Sequence, residues 1–273
     1  MTGLRFGLAL SMSGRGRGRV GPPWSPASLF ANGEQGLWLD PSDLSTLFQD
    51  DAGTTPVTSD GDPDGLTLDK SGNGNHASQA TLASRLTYKT DGTLRWLQLD
   101  GVDDSLATSS FSWGSDEVTV VAGLRKTGGN EASGMLVELS NNRANNAGSF
   151  TVFAPATTTR YGFYARGSNA MSGTATTTSS TYDSPHTGVF TGYSKISTDT
   201  TVLRVNGAQI ASSSQDLGSG NFGSYPLYIG RRGGSSNPFA GNIYGLVIVN
   251  RLLSAGELAS LESWMADKTG VTW

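Results

Sequence analysis

The stretch NIYGLVIVNRLLSAGELASLESWMADKTG, Asn242 to Gly270, carries two periodicities in succession. Its first part holds the continuous apolar run Leu246 to Val249, which suits a central strand buried on both faces. Ser254, followed three residues later by Glu257, is a capping box: each side chain accepts from the other's backbone amide and satisfies an orphan donor. Leu258, Leu261, Trp264 and Met265 then share one helical face, Lys268 sits in the last turn, and Gly270 supplies the left-handed stop. The spacing predicts a strand and then an amphipathic helix over 254–269 that lies against one end or face of the sheet structure.

Upstream of this stretch the chain reads as strands. LRWLQLDG from Leu94 puts Arg95, Leu97 and Leu99 on one face, and VTVVAGLRK sets Val118, Val120, Ala122 and Leu124 on a single face. In RYGFYARG the alternation sends Tyr161 and Phe163 to one side and Tyr164 with Arg166 to the other. Asn206-Gly207, between TVLRV and AQIAS, is a hairpin signal, because a type I′ turn needs positive φ at both central residues. Short runs of this kind, bounded by Gly, Asn, Ser or Pro, recur from Leu94 to Asn250 and predict an all-β, two-sheet sandwich. The 37 glycines and the 15% of charged residues fit that class. Between the N-terminal segment and these strands, Leu44, Leu47 and Phe48 lie at helical spacing, which predicts a brief helical turn. The Asp, Gly and Asn residues of DGDPDGLTLDKSGNGNHASQAT predict a surface loop.

Absence of cysteine excludes disulfides and thiolate metal sites. No apolar run approaches the ~18 residues of a membrane span, so no membrane insertion is expected. Net charge is −4, yet residues 1–33 carry Arg5, Arg15, Arg17 and Arg19 and no acid, which leaves −8 for the remainder once that +4 is set aside. The arginines directly after LRFGLALSM disfavour a signal peptide. The organisation read from the sequence is an extended basic arm over 1–36 and one sandwich domain over 37–273.

Four stretches, LDKSGNGNHASQ at 68–79, LQLDGVDDSLATSS at 97–110, VLRVNGAQIAS at 202–212 and the strand-helix segment at 239–270, resemble the concanavalin A-like lectin/glucanase sandwiches of the laminin-G-like type. That resemblance implies a concanavalin A-like jelly roll with a C-terminal helix. More narrowly, LWLDPSDLSTLFQDDAGTTPVTSDGDPDGLTLDKSGNGNHA resembles a segment of structural proteins of tailed bacteriophages and phage-like gene-transfer particles. It implies a virion protein, assembled in the bacterial host cytoplasm: a tail, capsid or baseplate appendage such as a short fibre, spike or head decoration.

Within that frame the arm, with Arg5, Phe6, Arg15, Arg17, Arg19 and Trp24, is expected to dock other virion proteins through guanidinium forks and an aromatic anchor. Three arginines in five residues without interleaved aromatics are too few to indicate nucleic acid. A homo-oligomer matched to its platform, such as a trimer, fits a fibre. For host-surface glycan, aromatic faces beside planar polar groups nominate Tyr164, Arg166, Asn145, Asn146, Arg231 and Arg232. Asp60, Asp62 and Asp64, in D-x-D-x-D-G spacing, are the candidate calcium ligands, against the reading of a solvated Asp-rich turn; no other cofactor is indicated. Asp100, Asp103 and Asp104 read as turn caps. The E-x-D-x-x-E pattern of the hydrolases of this fold is missing, and neither His76 nor His186 stands near a nucleophile elbow, so no enzyme is expected. The alternatives are a secreted bacterial carbohydrate-binding protein and, behind it, a glycoside hydrolase.

Overall fold

The computed structural model describes residues 24–127, 134–154, 160–169, 173–176 and 182–273. Among the described residues eighteen strands run in chain order: β1 (Gly36–Leu39), β2 (Leu47–Phe48), β3 (Pro63–Asp64), β4 (Leu66–Thr67), β5 (Ala77–Ser78), β6 (Leu86–Thr90), β7 (Arg95–Asp100), β8 (Leu106–Thr108), β9 (Glu117–Lys126), β10 (Met135–Leu139), β11 (Ser149–Phe153), β12 (Gly162–Arg166), β13 (Gly173–Thr176), β14 (His186–Lys195), β15 (Thr200–Val205), β16 (Ala208–Ser213), β17 (Leu227–Ile229) and β18 (Ala240–Val249). Among the described residues one α-helix forms, α1 (Ala255–Thr269), at the C-terminal end of the fold. The first sheet has the order β16-β15-β14-β9-β18-β7-β6-β3, with β1 also paired to β18; the second has the order β13-β12-β11-β10-β17-β8-β5-β4-β2. The two antiparallel sheets face each other as a sandwich, as the alternation predicts.

The core between the sheets takes Val118, Val120, Ala122 and Leu124 from β9 and Phe163 from β12, the faces read from the sequence. Trp113 is fully buried at its centre, 5.3 Å from the ring of Phe150 and hydrogen-bonded from Nε1 to the Glu117 carbonyl at 2.8 Å. The opposite face of the first sheet is also dry. There Val121, Val189, Val247 and Val249 meet Leu29, Phe30, Trp38, Leu261 and Met265 in a second, smaller cluster. Each such aliphatic side chain contributes about 1.5–3 kcal/mol by leaving water.

α1 is held on that outer face by shape and by charge. Gly123 and Gly245 leave room for Met265: a Cβ at either would stand 2.8 or 2.9 Å from its sulfur. Glu262, only 4% exposed, accepts from Arg204 at 2.7 and 3.0 Å and from the Thr191 hydroxyl at 2.9 Å. The capping box is formed as read, with Ser254 Oγ accepting from Glu257 N and Glu257 accepting from Ser254 N, and Gly270 closes the helix at φ 70°. The β15–β16 hairpin turns on Asn206 and Gly207 at φ 50° and 74°, as the Asn-Gly pair requires.

Two readings are corrected. Residues 24–36, assigned to the arm, pack on the body: Pro26–Phe30 forms a 3-10 turn with Leu29 fully buried, and β1 pairs with β18. The brief helical turn expected near Leu44 forms as the 3-10 turn Leu44–Thr46, after which Leu47 and Phe48 enter β2. The segment read as surface loop holds β3, β4 and β5, with Asp64, Thr67 and Ala77 buried, because pairing to neighbouring strands overrides the turn-prone local sequence.

Lys126 is fully buried at the end of β9, where its Nζ lies 4.4 Å from the Tyr161 ring centroid and meets no hydrogen-bond acceptor. Burial holds its pKa down at about 8, below the ordinary 10.5. The unfolded chain therefore binds the additional proton between these values, and stability rises with pH across that window. Lys126→Met should raise stability by about 1–2 kcal/mol at pH 7, with a gain that shrinks as pH climbs from 8 toward 10.5, measured by thermal unfolding along a pH series. Ser254→Ala should cost about 1 kcal/mol, read by chemical denaturation, because the capping box is lost.

Candidate functional site

Two surfaces gather polar and aromatic groups. The first lies on the outer face of the second sheet. Tyr164 of β12, Thr151 of β11, Glu138 of β10 and Tyr228 of β17 stand directly opposite one another in register, and strand alternation turns them away from the core occupied by Phe163, Val152, Val137 and Ile229. Glu138 is fully buried. It accepts from Arg143 N at 2.5 Å and from Arg232 Nε at 2.9 Å, so two loops, around 141–147 and 231–237, are tied to the strands at one carboxylate. The Arg143 guanidinium lies 3.9 Å from the centroid of the Tyr164 ring, which also contacts Phe153 at 4.8 Å. Burial raises the Tyr164 pKa against the pull of Arg143, Arg160 and Arg232, and burial lowers that of Arg143, with Arg232 and Arg166 adding repulsion.

Of the residues nominated for glycan, the structure brings Tyr164, Arg166 and Arg232 together. Arg166 is 9% exposed and spends its donors on the carbonyls of Asn169, Arg143 and Ala144 at 2.6, 2.8 and 2.6 Å, so it shapes the loop rather than facing outward. Asn145 is exposed and Asn146 half-buried on that same loop. Arg231 turns aside, donating to the Asp103 and Ser235 carbonyls at 3.3 and 2.6 Å. Arg143 was missed: its signal was its place two residues before Asn145, in the loop already singled out.

The second surface is the solvent face of α1. Ala259, Ser263 and Asp267 form a ridge between two clefts. One, of about 610 Å³, is lined by Trp24, Ser260 and Trp264; the other, of about 390 Å³, by Arg204, Glu262, Gly207, Thr272 and Trp273. Trp264 is fixed edge-on against Trp38 at 6.0 Å and lies under Lys268 Nζ at 4.6 Å, which itself pairs with Asp40 at 3.0 Å. Sequence periodicity placed Trp264 on the buried helical face, whereas it is half-buried at the cleft edge; Trp24, read as an arm anchor, is the facing wall. Nothing in the sequence flagged Trp273, which is 57% exposed.

The calcium reading of Asp60, Asp62 and Asp64 is not met by their geometry. Asp60 pairs with Lys89 at 2.5 Å, Asp62 accepts from Thr58 N and Ser59 N at 2.9 Å each, and Asp64, fully buried on β3, accepts from the Thr67 hydroxyl at 2.6 Å. Alternation in the short strand points Asp64 inward, away from the other two. Among the described residues the carboxylates that converge within 4.8 Å are those of Asp100, Asp103 and Asp104. They serve the β7–β8 turn: Asp100 accepts from Val102 N at 2.7 Å, Asp104 from Asp100 N at 2.9 Å, and Asp103 from the Ser84 hydroxyl at 2.7 Å. Burial, with Asp100 and Asp103 nearby, pushes the Asp104 pKa up to about 6. Among the described residues no helix is long and apolar enough to cross a membrane.

The fold is shared with known proteins. The binding domain of botulinum neurotoxin serotype G superposes with a TM-score of 0.57 at 14% identity, over 73% of this chain and 48% of that one. Botulinum neurotoxin type C, whose cell entry depends on interaction with two ganglioside molecules, gives 0.57 at 11% identity, over 85% and 51%. The binding domain of Paraclostridial Mosquitocidal Protein 1 gives 0.54 at 18%, over 72% and 49%. The chain thus spans about half the length of these structures, and the likeness concerns the fold. No curated protein matches the sequence. A family model described as the concanavalin A-like lectin/glucanases superfamily matches residues 100–259, more than half of the chain, from the β7–β8 turn into α1. By that match and by its two-sheet sandwich, the chain belongs to the concanavalin A-like lectin/glucanase superfamily.

Proposed function

We propose that the chain is a glycan-binding, non-catalytic module whose sugar site is the cleft between Trp24 and Trp264. The observation that carries this reading is the pairing of two tryptophans, one held rigid by Trp38 and Lys268, with the side chains of Ser260, Ser263 and Asp267 along the same cleft. A pyranose stacks its apolar face on an indole and gives its hydroxyls to such groups. The lectin members of the superfamily and the ganglioside dependence of neurotoxin type C support it. The reading as non-catalytic rests on the missing E-x-D-x-x-E pattern and on the commitment of Asp100, Asp103 and Asp104 to turn amides and Ser84. On a glycan array followed by calorimetry, Trp24→Ala and Asp267→Ala should each weaken the bound glycan about tenfold or more, roughly 1.4 kcal/mol, with the far-UV circular dichroism unchanged. Retained affinity in both variants, or no glycan bound by the native chain, overturns the reading.

We infer further that the module belongs to a phage-like particle as a head, tail or baseplate appendage, docked through its N-terminal arm. Support comes from the phage-like segment around LWLDPSDLSTLFQDD and from the four arginines before residue 20 on an otherwise acidic chain. The docking residues, Arg5, Phe6, Arg15, Arg17 and Arg19, lie outside the described residues. Reversing Arg15, Arg17 and Arg19 to Glu should abolish incorporation into particles while leaving the unfolding transition of the body in place, measured by immunoblot of purified particles. Normal incorporation of that variant excludes electrostatic docking by the arm.

A further inference from the structure

Ala259, Ser263 and Asp267 recur at i, i+4 and i+8 on α1, so they form one row along its solvent face, and all three are exposed. That row lines both clefts, the one of about 610 Å³ walled by Trp24 and Trp264 and the one of about 390 Å³ walled by Trp273. Ala259 and Ser263 are small, so the row is a low sill. A helix with its side chains is only about 10–12 Å across, and small residues narrow the crossing further. On the far side Trp273 is 57% exposed and rests against the β15–β16 turn: a Cβ at Gly207 would stand 2.5 Å from its Nε1. It is braced by a hairpin and open to water, as Trp264 is braced by Trp38. In the second cleft Glu262 and Arg204 neutralise each other at 2.7 and 3.0 Å. Among the described residues the side chains of Ser263, Asp267 and Thr272 are exposed and have no hydrogen-bond or ion-pair partner. Asp267 is therefore the one unpaired charge among the described residues that line the two clefts.

We propose that the two clefts are subsites of one site, and that its ligand is a linear, non-acidic oligosaccharide laid across α1. This rests on the reading of the Trp24–Trp264 cleft as a sugar site and adds the class of sugar that it takes. One ring stacks at Trp24 and Trp264, a later ring stacks at Trp273, and those between pass over Ala259 and Ser263. Asp267 and Ser263 line the crossing and accept from hydroxyl, acetamido or ammonium groups of the sugar. A carboxylate or sulfate on the sugar would instead meet Asp267 with no unpaired cation lining either cleft, on a body, residues 34–273, of net charge −8. Because the second contact is made by a chain already held at the first, affinity grows with chain length.

The test uses the full chain in calorimetry against ladders running from disaccharide to hexasaccharide: cello-, manno- and chito-oligosaccharides, which are neutral; chitosan oligomers, which carry ammonium; and oligogalacturonates, which carry carboxylate. The expected result is one hexasaccharide per chain, from a neutral or the ammonium ladder, bound about tenfold or more tighter than the matching disaccharide, with no binding of the galacturonates. Which ladder binds distinguishes hydroxyl, acetamido and ammonium donors at Asp267. Trp273→Ala should bring the hexasaccharide down to about the affinity of the disaccharide and leave the disaccharide untouched, with Trp273→Phe restoring most of the gain. Trp24→Ala should weaken both lengths. Trp273 is exposed, so its replacement leaves the core intact. Hexasaccharide affinity that depends on Trp24 but neither exceeds that of the disaccharide nor responds to Trp273→Ala overturns the two-subsite proposal and leaves the cleft reading standing. Binding of the galacturonates as tight as that of the other ladders overturns the non-acidic class. Absence of binding by every ladder, or binding indifferent to Trp24→Ala, overturns the cleft reading and this inference with it.

Discussion

The whole architecture depends on keeping β9 and β18 dry on both faces. Each is ten residues long, the two pair along most of their length, and every residue of β18 is buried. One face is covered by the opposing sheet. The other is covered only because α1 and the Pro26–Phe30 turn lie across it, with Gly123 and Gly245 making space for Met265 and Glu262 tied down by Arg204. Without that cover Val121, Val189, Val247 and Val249 would form an apolar patch in water. The helix is thus part of the core, and its outward side is free to form a surface of another kind.

That division explains where exposed aromatic and polar groups collect. The solvent face of α1 sits on a rigid support, so Trp264 is oriented by packing while its edge remains reachable, and the chain entering at Trp24 completes the cleft. On the other sheet, rigidity comes from Glu138, which locks two loops to the strands and sets the arginines about Tyr164. In both places the exposed side chains are positioned by groups that are themselves buried and committed.

Much of this was legible in the sequence. The alternation in RYGFYARG separated Phe163 from Tyr164 correctly, the Asn-Gly pair placed the hairpin, and the capping box and Gly270 bounded α1 to within one residue of the predicted 254–269. These succeed because each is local: a turn, a cap or a period is decided by residues within a few positions. The Asp-rich segment at 60–81 misled for the same reason, since its local preference for turns was outweighed by pairing with β6 and β8, strands the local sequence does not reveal. The D-x-D-x-D-G spacing of Asp60, Asp62 and Asp64 likewise could not say that Asp64 is buried while Lys89 pairs with Asp60.

The sequence by itself determined an all-β sandwich, its strand faces, its final helix and the unequal distribution of charge between arm and body. Only the tertiary structure decided that residues 24–36 belong to that body, that Trp24 faces Trp264 across more than two hundred residues of chain, and that Arg143, Arg160, Arg166 and Arg232 surround one tyrosine. The physical reason is that periodicity specifies which side of its own element a residue faces. Which distant element it meets there depends on sheet order and helix placement, which are settled by burying the two faces of β9 and β18 together.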